Sequence, residues 1–427
     1  MRILVLSQHF WPESFRINDV VRQLASAGHH VEVLTGQPNY PGGTIFDGFS
    51  AWSSGTTDWQ GVALHRVPLV PRGRASALRL VANYLSFIAS AATIGAWRLR
   101  GRGFDVILVY ATSPLLQAIA AVVLARLKRA ALVTWVQDLW PESLQVTGYV
   151  RSPRLLGLVA IVVRWIYVRN TMLLVPSPAF EPSVRALAPP GLPIAWHPNP
   201  GDAADAGPVA SEDPALTLDD TLFNVVFAGN LGIAQALDSV LDAAERLRDD
   251  TPELRLVLVG SGQRSTWLAE QVSARRLPNV QLAGRFAPEQ MAGIYAQAQA
   301  LLVSLKADPA MALTVPSKVQ SYLAAGRPIV AALDGEGARL VVEAGAGLAC
   351  RAGDGAALAD TLRRMHALPE SARAAMGVAG RIRYLRDYAP ERLTPQLIGH
   401  LEEAVRRRGG PAVATAAGAA QRGERRQ

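Results

Sequence analysis

The sequence predicts an α/β protein built from two doubly wound domains, and three observations carry that reading. The chain has 427 residues, too many for one hydrophobic core and suited to two domains of about 200 residues each. Short apolar runs alternate with helix-like segments along its front half. The alternation then stops at a polar stretch, residues 201–220 (GDAADAGPVASEDPALTLDD), and starts again beyond it.

The first unit opens with RILVLS, continues with INDVVRQLASAGHH and closes with VEVLTG. Val20, Val21 and Leu24 fall at helical spacing and Gly28 reads as the helix stop, so strand, helix and strand follow within about 35 residues, as in a parallel βαβ unit. VALHRV, DVILVYA, ALVTWVQ and MLLVPS continue the theme. After the polar stretch, which reads as an interdomain linker or long loop, come FNVVFAG, LRLVLVG, VQLAG, ALLVSL, PIVAAL and GAGLACR, with helical segments between them. Two such domains in tandem leave a cleft, a usual place for ligands. The boundaries fall at 1–200 and 201–385. A last helix follows over 386–407, and an Ala/Gly/Arg tail over 408–427 is expected to be disordered.

Half the residues are hydrophobic and 18% are charged, as in a compact globular protein. Cys350 is the single cysteine, so no intrachain disulfide forms; with no recognisable signal peptide, a cytoplasmic location is expected. The formal charge is +8, and it is unevenly spread: residues 1–200 hold 18 Arg or Lys against 9 Asp or Glu. A basic front half suits nucleic acid or an anionic membrane. No nucleic-acid-binding motif is present, which leaves the membrane. Residues 80–97 (LVANYLSFIASAATIGAW) carry no charge and are flanked by arginines on both sides. The run is at the lower limit for a membrane span, and Asn83, Ser86, Ser90 and Thr93 dilute it. A helix lying in the interface within 78–102 is the favoured reading, with a buried helix and a true span as alternatives.

The chemistry is expected in loops at the C-terminal ends of strands, where doubly wound folds bind ligands. Two of them contain the tetrapeptide WPES: SQHFWPESFRIND after the first strand, and QDLWPES at Gln137–Ser143. Each places an aromatic ring, a rigid turn and a carboxylate at a strand mouth. His9, Trp11, Glu13, Arg16 and Asn18 in the first loop and Trp140 in the second are acceptor-side candidates. Asp138 and Glu142 are the catalytic candidates, since a carboxylate accepts a hydroxyl proton. The competing reading has Trp and Pro packing the loops while Glu13 and Glu142 cap helices.

In the second domain FAGNLGIAQAL (Phe227–Leu237) places small residues between a buried strand and a helix, a place for phosphate against backbone N–H groups. Its candidates are Gly229, Asn230, Gly232 and Gln235. VGSGQR (Val259–Arg264) is a similar turn. In VPSKVQSYLAAGRPIVA, Ser317 and Lys318 begin a helix. A cation there opposes the helix dipole unless an anionic ligand reverses the balance; a solvated lysine is the alternative. No HExxH or paired histidine spacing occurs, and one cysteine excludes a Cys-based zinc cluster, so no metal site is expected. Nor is there a nucleophile elbow.

Together these segments resemble a GT-B glycosyltransferase of the family 4, retaining type, over residues 1–400. More narrowly they resemble the WbuB-like group of bacterial O-antigen and capsule transferases, several of which transfer N-acetyl-L-fucosamine. The resemblance runs through SQHFWPESFRINDVVRQLASAGHHVEVLTGQPNYPGG, LVYATSPLL, WVQDLWPES, FAGNLGIAQAL and VPSKVQSYLAAGRPIVA. It implies two Rossmann-like domains facing across a cleft, with a C-terminal helix crossing back to the first. A nucleotide-diphosphate sugar, UDP-linked, would bind the second domain without cofactor or metal. A polyprenyl-diphosphate-linked saccharide would be the acceptor at the first, on the inner face of the plasma membrane. The chain departs from the family pattern at its E-x7-E motif, whose glutamates fall on Leu313 and Ser321; Glu343 is the substitute expected to bind ribose. The usual phosphate-loop Arg and Lys fall on Asn230 and Gln235, leaving Lys318 and Arg285 to supply charge. The histidine often found before the HD-type aspartate is Gln137. A nucleotide-sugar 2-epimerase and a non-catalytic sugar-nucleotide-binding protein are the alternatives.

Overall fold

The structure is a computed structural model that describes residues 1–73, 77–146, 152–201 and 216–409. Most of the expected 201–220 linker and all but two residues of the expected 408–427 tail lie outside these. The chain divides into two compact units, Met1–His197 together with the chain from Thr394 onward, and Pro198–Leu393.

The first unit holds an eight-stranded sheet in the order β3-β4-β2-β1-β5-β6-β7-β8. The strands are β1 (Arg2–Leu6), β2 (His30–Gly36), β3 (Gly55–Trp59), β4 (Val62–Val67), β5 (Val106–Ala111), β6 (Ala131–Val136), β7 (Met172–Val175) and β8 (Ile194–Trp196). All pairings are parallel except β3 with β4. The buried central strands are the apolar runs of the sequence, as a parallel sheet covered on both faces requires. The two strands the sequence did not reveal lie at the edges. β3 is GTTDW, polar and mostly exposed, and β8 is only three residues long.

The helices of this unit are α1 (Arg16–Ser26), α2 (Ala77–Ser90), α3 (Ala96–Arg98), α4 (Ala118–Lys128), α5 (Glu142–Val146), α6 (Pro153–Tyr167) and α7 (Phe180–Leu187). The second unit adds α8 (Leu237–Leu247), α9 (Ser265–Ala274), α10 (Met291–Gln297), α11 (Pro309–Ala312), α12 (Ser317–Ala325), α13 (Glu336–Glu343), α14 (Gly355–Ala367) and α15 (Glu370–Asp387). The last helix, α16 (Pro390–Arg408), returns to the first unit, where Leu397, Leu401 and Ala404 join the core formed by Ile17, Val20, Val21 and Leu24 of α1. Thr394 Oγ1 donates to Gln23 Oε1 at 2.9 Å and fixes its register.

The uncharged run at 80–97 is one helical stretch, Leu78–Arg98. Its buried positions, Asn83, Phe87, Ala91 and Gly95, and Leu99 just beyond its end, recur at every fourth residue. An α-helix at 3.6 residues per turn drifts by roughly 40° for each such step. A π-helical turn at Ala91–Gly95 restores the register. Asn83 is fully buried: its Oδ1 accepts from Gln8 Nε2 at 2.7 Å and its Nδ2 donates to the Val70 carbonyl at 2.6 Å. The polar residue that seemed to dilute an apolar span therefore ties α2 to the end of β1. One side of the run packs against its own domain, and the run remains long and apolar enough to cross a membrane.

Glu32 ties β2 to its neighbours. It is fully buried, and its carboxylate accepts from His65 Nε2 on β4 at 2.8 Å and from Arg102 Nη1 at 2.9 Å, with His30 Nε2 at 3.1 Å. Burial alone would raise its pKa, but hydrogen bonds from His65, His30 and Arg102 outweigh that and hold it down to about 2.

The second unit holds a six-stranded parallel sheet, β11-β10-β9-β12-β13-β14, formed by β9 (Phe223–Ala228), β10 (Leu254–Val259), β11 (Val280–Gly284), β12 (Ala300–Ser304), β13 (Ile329–Ala332) and β14 (Gly347–Cys350). Strand order reverses between β9 and β12, so the loop after β9 stands at a topological switch point.

Because Glu32 is held below its ordinary value, its contribution to stability is complete above about pH 4.5 and is lost as pH falls through about 2. Glu32→Gln should therefore lower the urea midpoint of the first unit clearly at pH 7, and the gap from wild type should narrow as pH falls from about 5 towards 2.

Candidate functional site

The second unit carries a cavity of about 670 Å³ at its switch point. Three strand ends form one side. Ala228 ends β9 and Gly229 and Asn230 follow it; Gly260, Ser261 and Gly262 follow β10; Arg285 and Phe286 follow β11. Met291, Tyr295 and Ser321 line the rest together with Val259 and Pro288. The loops approach as closely as they do because they are glycine-rich. A Cβ on Gly260, whose φ is +138°, would meet the Gly229 carbonyl oxygen at 1.9 Å. One on Gly262 would meet Asn230 Oδ1 and the Leu231 carbonyl at 2.5 Å. Backbone bonds from Gly229 to the Val259 carbonyl (2.9 Å) and from Leu231 to the Ser261 carbonyl (3.0 Å) hold the two loops together.

Lys318 lies directly behind Gly229, where a Cβ would fall 2.6 Å from its Cε. It is the second residue of α12, so both the lysine and the first turn of that helix favour an anion. Its Nζ donates to Gln235 Oε1 and stands 3.8 Å from the centre of the Phe227 ring. No ion pair to Lys318 occurs among the described residues. Burial lowers its pKa to about 7. A diphosphate bound beside the amine would favour its cationic form.

The structure brings Gly229, Asn230 and Arg285 into one cavity and places Lys318 and Gln235 beside it, while Ser317 is exposed at the start of α12. Gly232 belongs to the same loop, and a Cβ there would crowd the Asn230 side chain at 2.7 Å. Glu343 is not part of this site. It ends α13, half-exposed, with its carboxylate on Arg339 Nη1 at 2.8 Å. Ser321 lines the cavity instead, at the position where the second glutamate of the E-x7-E pattern would fall. Gly260 and Gly262 were visible as a turn like the first one, with small residues after a buried strand. Nothing in spacing or composition singles out Phe286, Met291 or Tyr295.

In the first unit both WPES turns contain a cis Trp–Pro bond, but their side chains have different fates. Glu13 is buried and fully engaged: it accepts from His9 Nδ1 (3.1 Å), Phe10 N (3.2 Å), Asn39 N (2.8 Å) and Tyr40 N (2.7 Å). It organises two loops and offers nothing to a ligand, which corrects its assignment to the acceptor side. His9 stacks on Phe15 at 5.3 Å and is buried, with Nε2 unpartnered among the described residues. Asn18 donates to the Glu13 carbonyl at 2.8 Å and so belongs to the same scaffold. Arg16 begins α1, half-buried. Trp11 is 44% exposed whereas Trp140 is 5% exposed. Trp11 is therefore the ring open to a ligand; Trp140 is packed inside with its Nε1 on Asp138 Oδ2 at 3.3 Å, which corrects its assignment to the acceptor side.

Asp138 follows β6, half-buried, and also accepts from Ser143 Oγ. Glu142 begins α5 with Oε2 buried and unpartnered among the described residues. Both carboxylates bear on the buried Tyr167, whose pKa is raised first by burial and then by Glu142 and Asp138.

Two family models match the chain. A "Glycosyl transferase 4-like domain" covers residues 14–200, and "Glycosyl transferases group 1" covers residues 223–367. The chain is a GT-B glycosyltransferase. It is similar to the putative colanic acid biosynthesis glycosyl transferase WcaI of Escherichia coli, 28% identical over 348 residues, 76% of this chain and 82% of that one. Among solved structures, the fold matches sucrose-phosphate synthase of Thermosynechococcus elongatus at a TM-score of 0.71, with 18% identity and 94% and 98% of the two chains covered. It also matches Anabaena HepE in complex with UDP at 0.66, with 13% identity and coverage of 94% and 100%.

For this glycosyltransferase, burial costs the Lys318 cation stability at every pH below its ordinary range, because the unfolded chain binds that proton more tightly. Lys318→Met keeps the stem and removes the ammonium. It should raise the melting temperature of the ligand-free protein at pH 6, with a smaller gain at pH 9, as scanning calorimetry would show.

Proposed function

We propose that the enzyme moves a sugar from a UDP-linked donor to a saccharide carried on a polyprenyl diphosphate, with retention of anomeric configuration, in the synthesis of a bacterial surface polysaccharide. The sugar would be N-acetyl-L-fucosamine or a related amino or deoxy sugar, and the product would belong to an exopolysaccharide, O-antigen or capsule. The enzyme would act at the inner face of the plasma membrane. The colanic acid assignment of WcaI supports the polysaccharide class. HepE, with UDP and with UDP-glucose bound, supports the donor.

The observation that carries the reading is Lys318: a partly buried amine with no carboxylate beside it among the described residues, behind a glycine-rich cavity. A diphosphate there would be met by the Lys318 ammonium, the Arg285 guanidinium and the peptide N–H groups of the Gly229–Asn230 turn, without recourse to a metal. Phe286 and Tyr295 give a base and ribose apolar walls, and Ser321 supplies a hydroxyl where relatives of the family pattern carry a carboxylate. In the transfer, the bond from the anomeric carbon to the diphosphate oxygen breaks and a bond to the acceptor oxygen forms. The acceptor's proton passes to the departing diphosphate or to Asp138, which Ser143 and Trp140 hold in place.

Purified enzyme incubated with a panel of UDP- and GDP-sugars should release free nucleoside diphosphate only when lipid-linked acceptor is present. Interconversion of the donor sugar without acceptor would overturn the transfer reading in favour of an epimerase. By calorimetry, Lys318→Met should weaken UDP binding by at least about tenfold, the scale of one charge-assisted hydrogen bond. In the wild type the affinity should fall as pH rises above about 7, where the free amine loses its proton, and in the variant that slope should vanish.

A further inference from the structure

The first unit exposes an apolar face that its own packing leaves uncovered. α6 is apolar all round between Arg154 and Arg164, a pattern that belongs to a helix with both sides out of water. Yet only Val163, Ile166 and Tyr167 are buried. Leu155, Leu158, Ile161, Trp165 and Val168 form a stripe at helical spacing on the outer side, with Ile161 65% exposed. The α2–α3 run repeats the arrangement: Leu78, Val81, Leu85 and Trp97 face outward, Trp97 being 61% exposed. Both helices pack against α4, so the three lie side by side on the unit. Leu127 near the end of α4 is also exposed.

Two further features say what covers this face. Each outer helix ends in the same pair: Arg100 lies over the Trp97 ring at 4.0 Å, and Arg169 over the Trp165 ring at 4.0 Å. Between them stand Arg126, Lys128 and Arg129 at the end of α4, with Lys128 Nζ bonded to the Leu99 carbonyl. And α2, α3, α4 and α6 contain no Asp or Glu. A surface for a second protein copy would have to oppose these cations to one another. Apolar side chains set among tryptophans and arginines match the depth profile of a bilayer interface with anionic headgroups.

We propose that the outer face of α2–α3, α4 and α6 seats the enzyme on an anionic bilayer, with α6 as a docking helix equal to the 78–98 run. This gives a surface to the membrane-borne acceptor of the proposed function. It rests on that reading for its purpose only, since binding to lipid needs neither donor nor acceptor.

The test is sedimentation of the full chain with vesicles of phosphatidylcholine alone or mixed with phosphatidylglycerol, without sugar nucleotide. Wild type should sediment with the mixed vesicles, less so in high salt, and stay in solution with phosphatidylcholine. Ile161→Ser with Trp165→Ser, and independently Val81→Ser with Trp97→Ser, should each weaken binding by about tenfold or more. These side chains are exposed, so UDP binding should persist. Arg100→Gln with Arg169→Gln should remove the preference for phosphatidylglycerol, and Ile382→Ser, an exposed apolar position on α15 of the other unit, should change nothing. Wild type remaining in solution with anionic vesicles, or α6 variants binding as wild type does, overturns the proposal. So does a wild-type dimer that these variants convert to monomer while vesicle binding is unchanged, because the face is then a self-interface. Vesicle binding without transfer to any lipid-linked acceptor would leave the surface standing and defeat the acceptor reading instead.

Discussion

A partly buried amine with no carboxylate beside it among the described residues is the constraint around which the second unit's cavity is arranged. Lys318 stands over an aromatic ring with a single neutral hydrogen-bond acceptor, Gln235. Such a group is costly in the empty protein and favourable only when an anion arrives. Had Gln235 been glutamate, the lysine would be neutralised from within and the diphosphate would have to displace that partner. The neutral amide orients the amine and leaves its charge unspent. The glycines serve the same end: Gly229 gives way to the lysine stem, and Gly260 and Gly262 let the second loop close on the first.

The two WPES turns show how one short pattern is put to separate uses. Glu13, with four donors, is consumed in holding the loops after β1 and β2, and carries His9 and Asn18 with it. Asp138 stands at the position that His9 holds in the first turn, so the second turn has a carboxylate where the first has an imidazole. It is half-buried and held by two donors, which fits a group that must keep a fixed aim on a hydroxyl. The distinction lies in which loops come near: Asn39 and Tyr40 bring their N–H groups to Glu13 from another part of the chain.

That contrast explains what the sequence could reveal. The interior strands of both sheets were legible because burial on two faces forces near-continuous apolar runs, and the glycine turns after β9 and β10 were legible because close approach excludes side chains. Edge strands β3 and β8 were not, since one is polar and exposed and the other too short to show a period. Lys318 could be picked out because a cation in the first turn of a helix runs against the local field. Glu343 was misplaced because a lone carboxylate has no local signature of the cavity it faces. Trp11 and Trp140 look alike in the chain, and only tertiary packing makes one a surface ring and the other a core ring. Asn83 was read as diluting an apolar helix when its role is a hydrogen bond to a residue 75 positions away.

Apolar content was the least decisive signal, and the reason is physical. A helix with apolar residues on every side satisfies the same pattern whether protein or lipid covers its second face. In α4 the pattern is met almost wholly by protein: Ala118, Ala120, Ala121, Val122, Leu124 and Ala125 are all buried. In α6 it is met by protein on three residues only. Composition cannot separate the two, but neighbouring charge can. A helix sealed inside a domain gains nothing from a uniform sign of charge around it, whereas one laid against anionic lipid gains from every arginine and loses from every carboxylate. The complete lack of acidic residues in α2, α3, α4 and α6, in a chain that carries 35 of them, is the pattern that the second case favours.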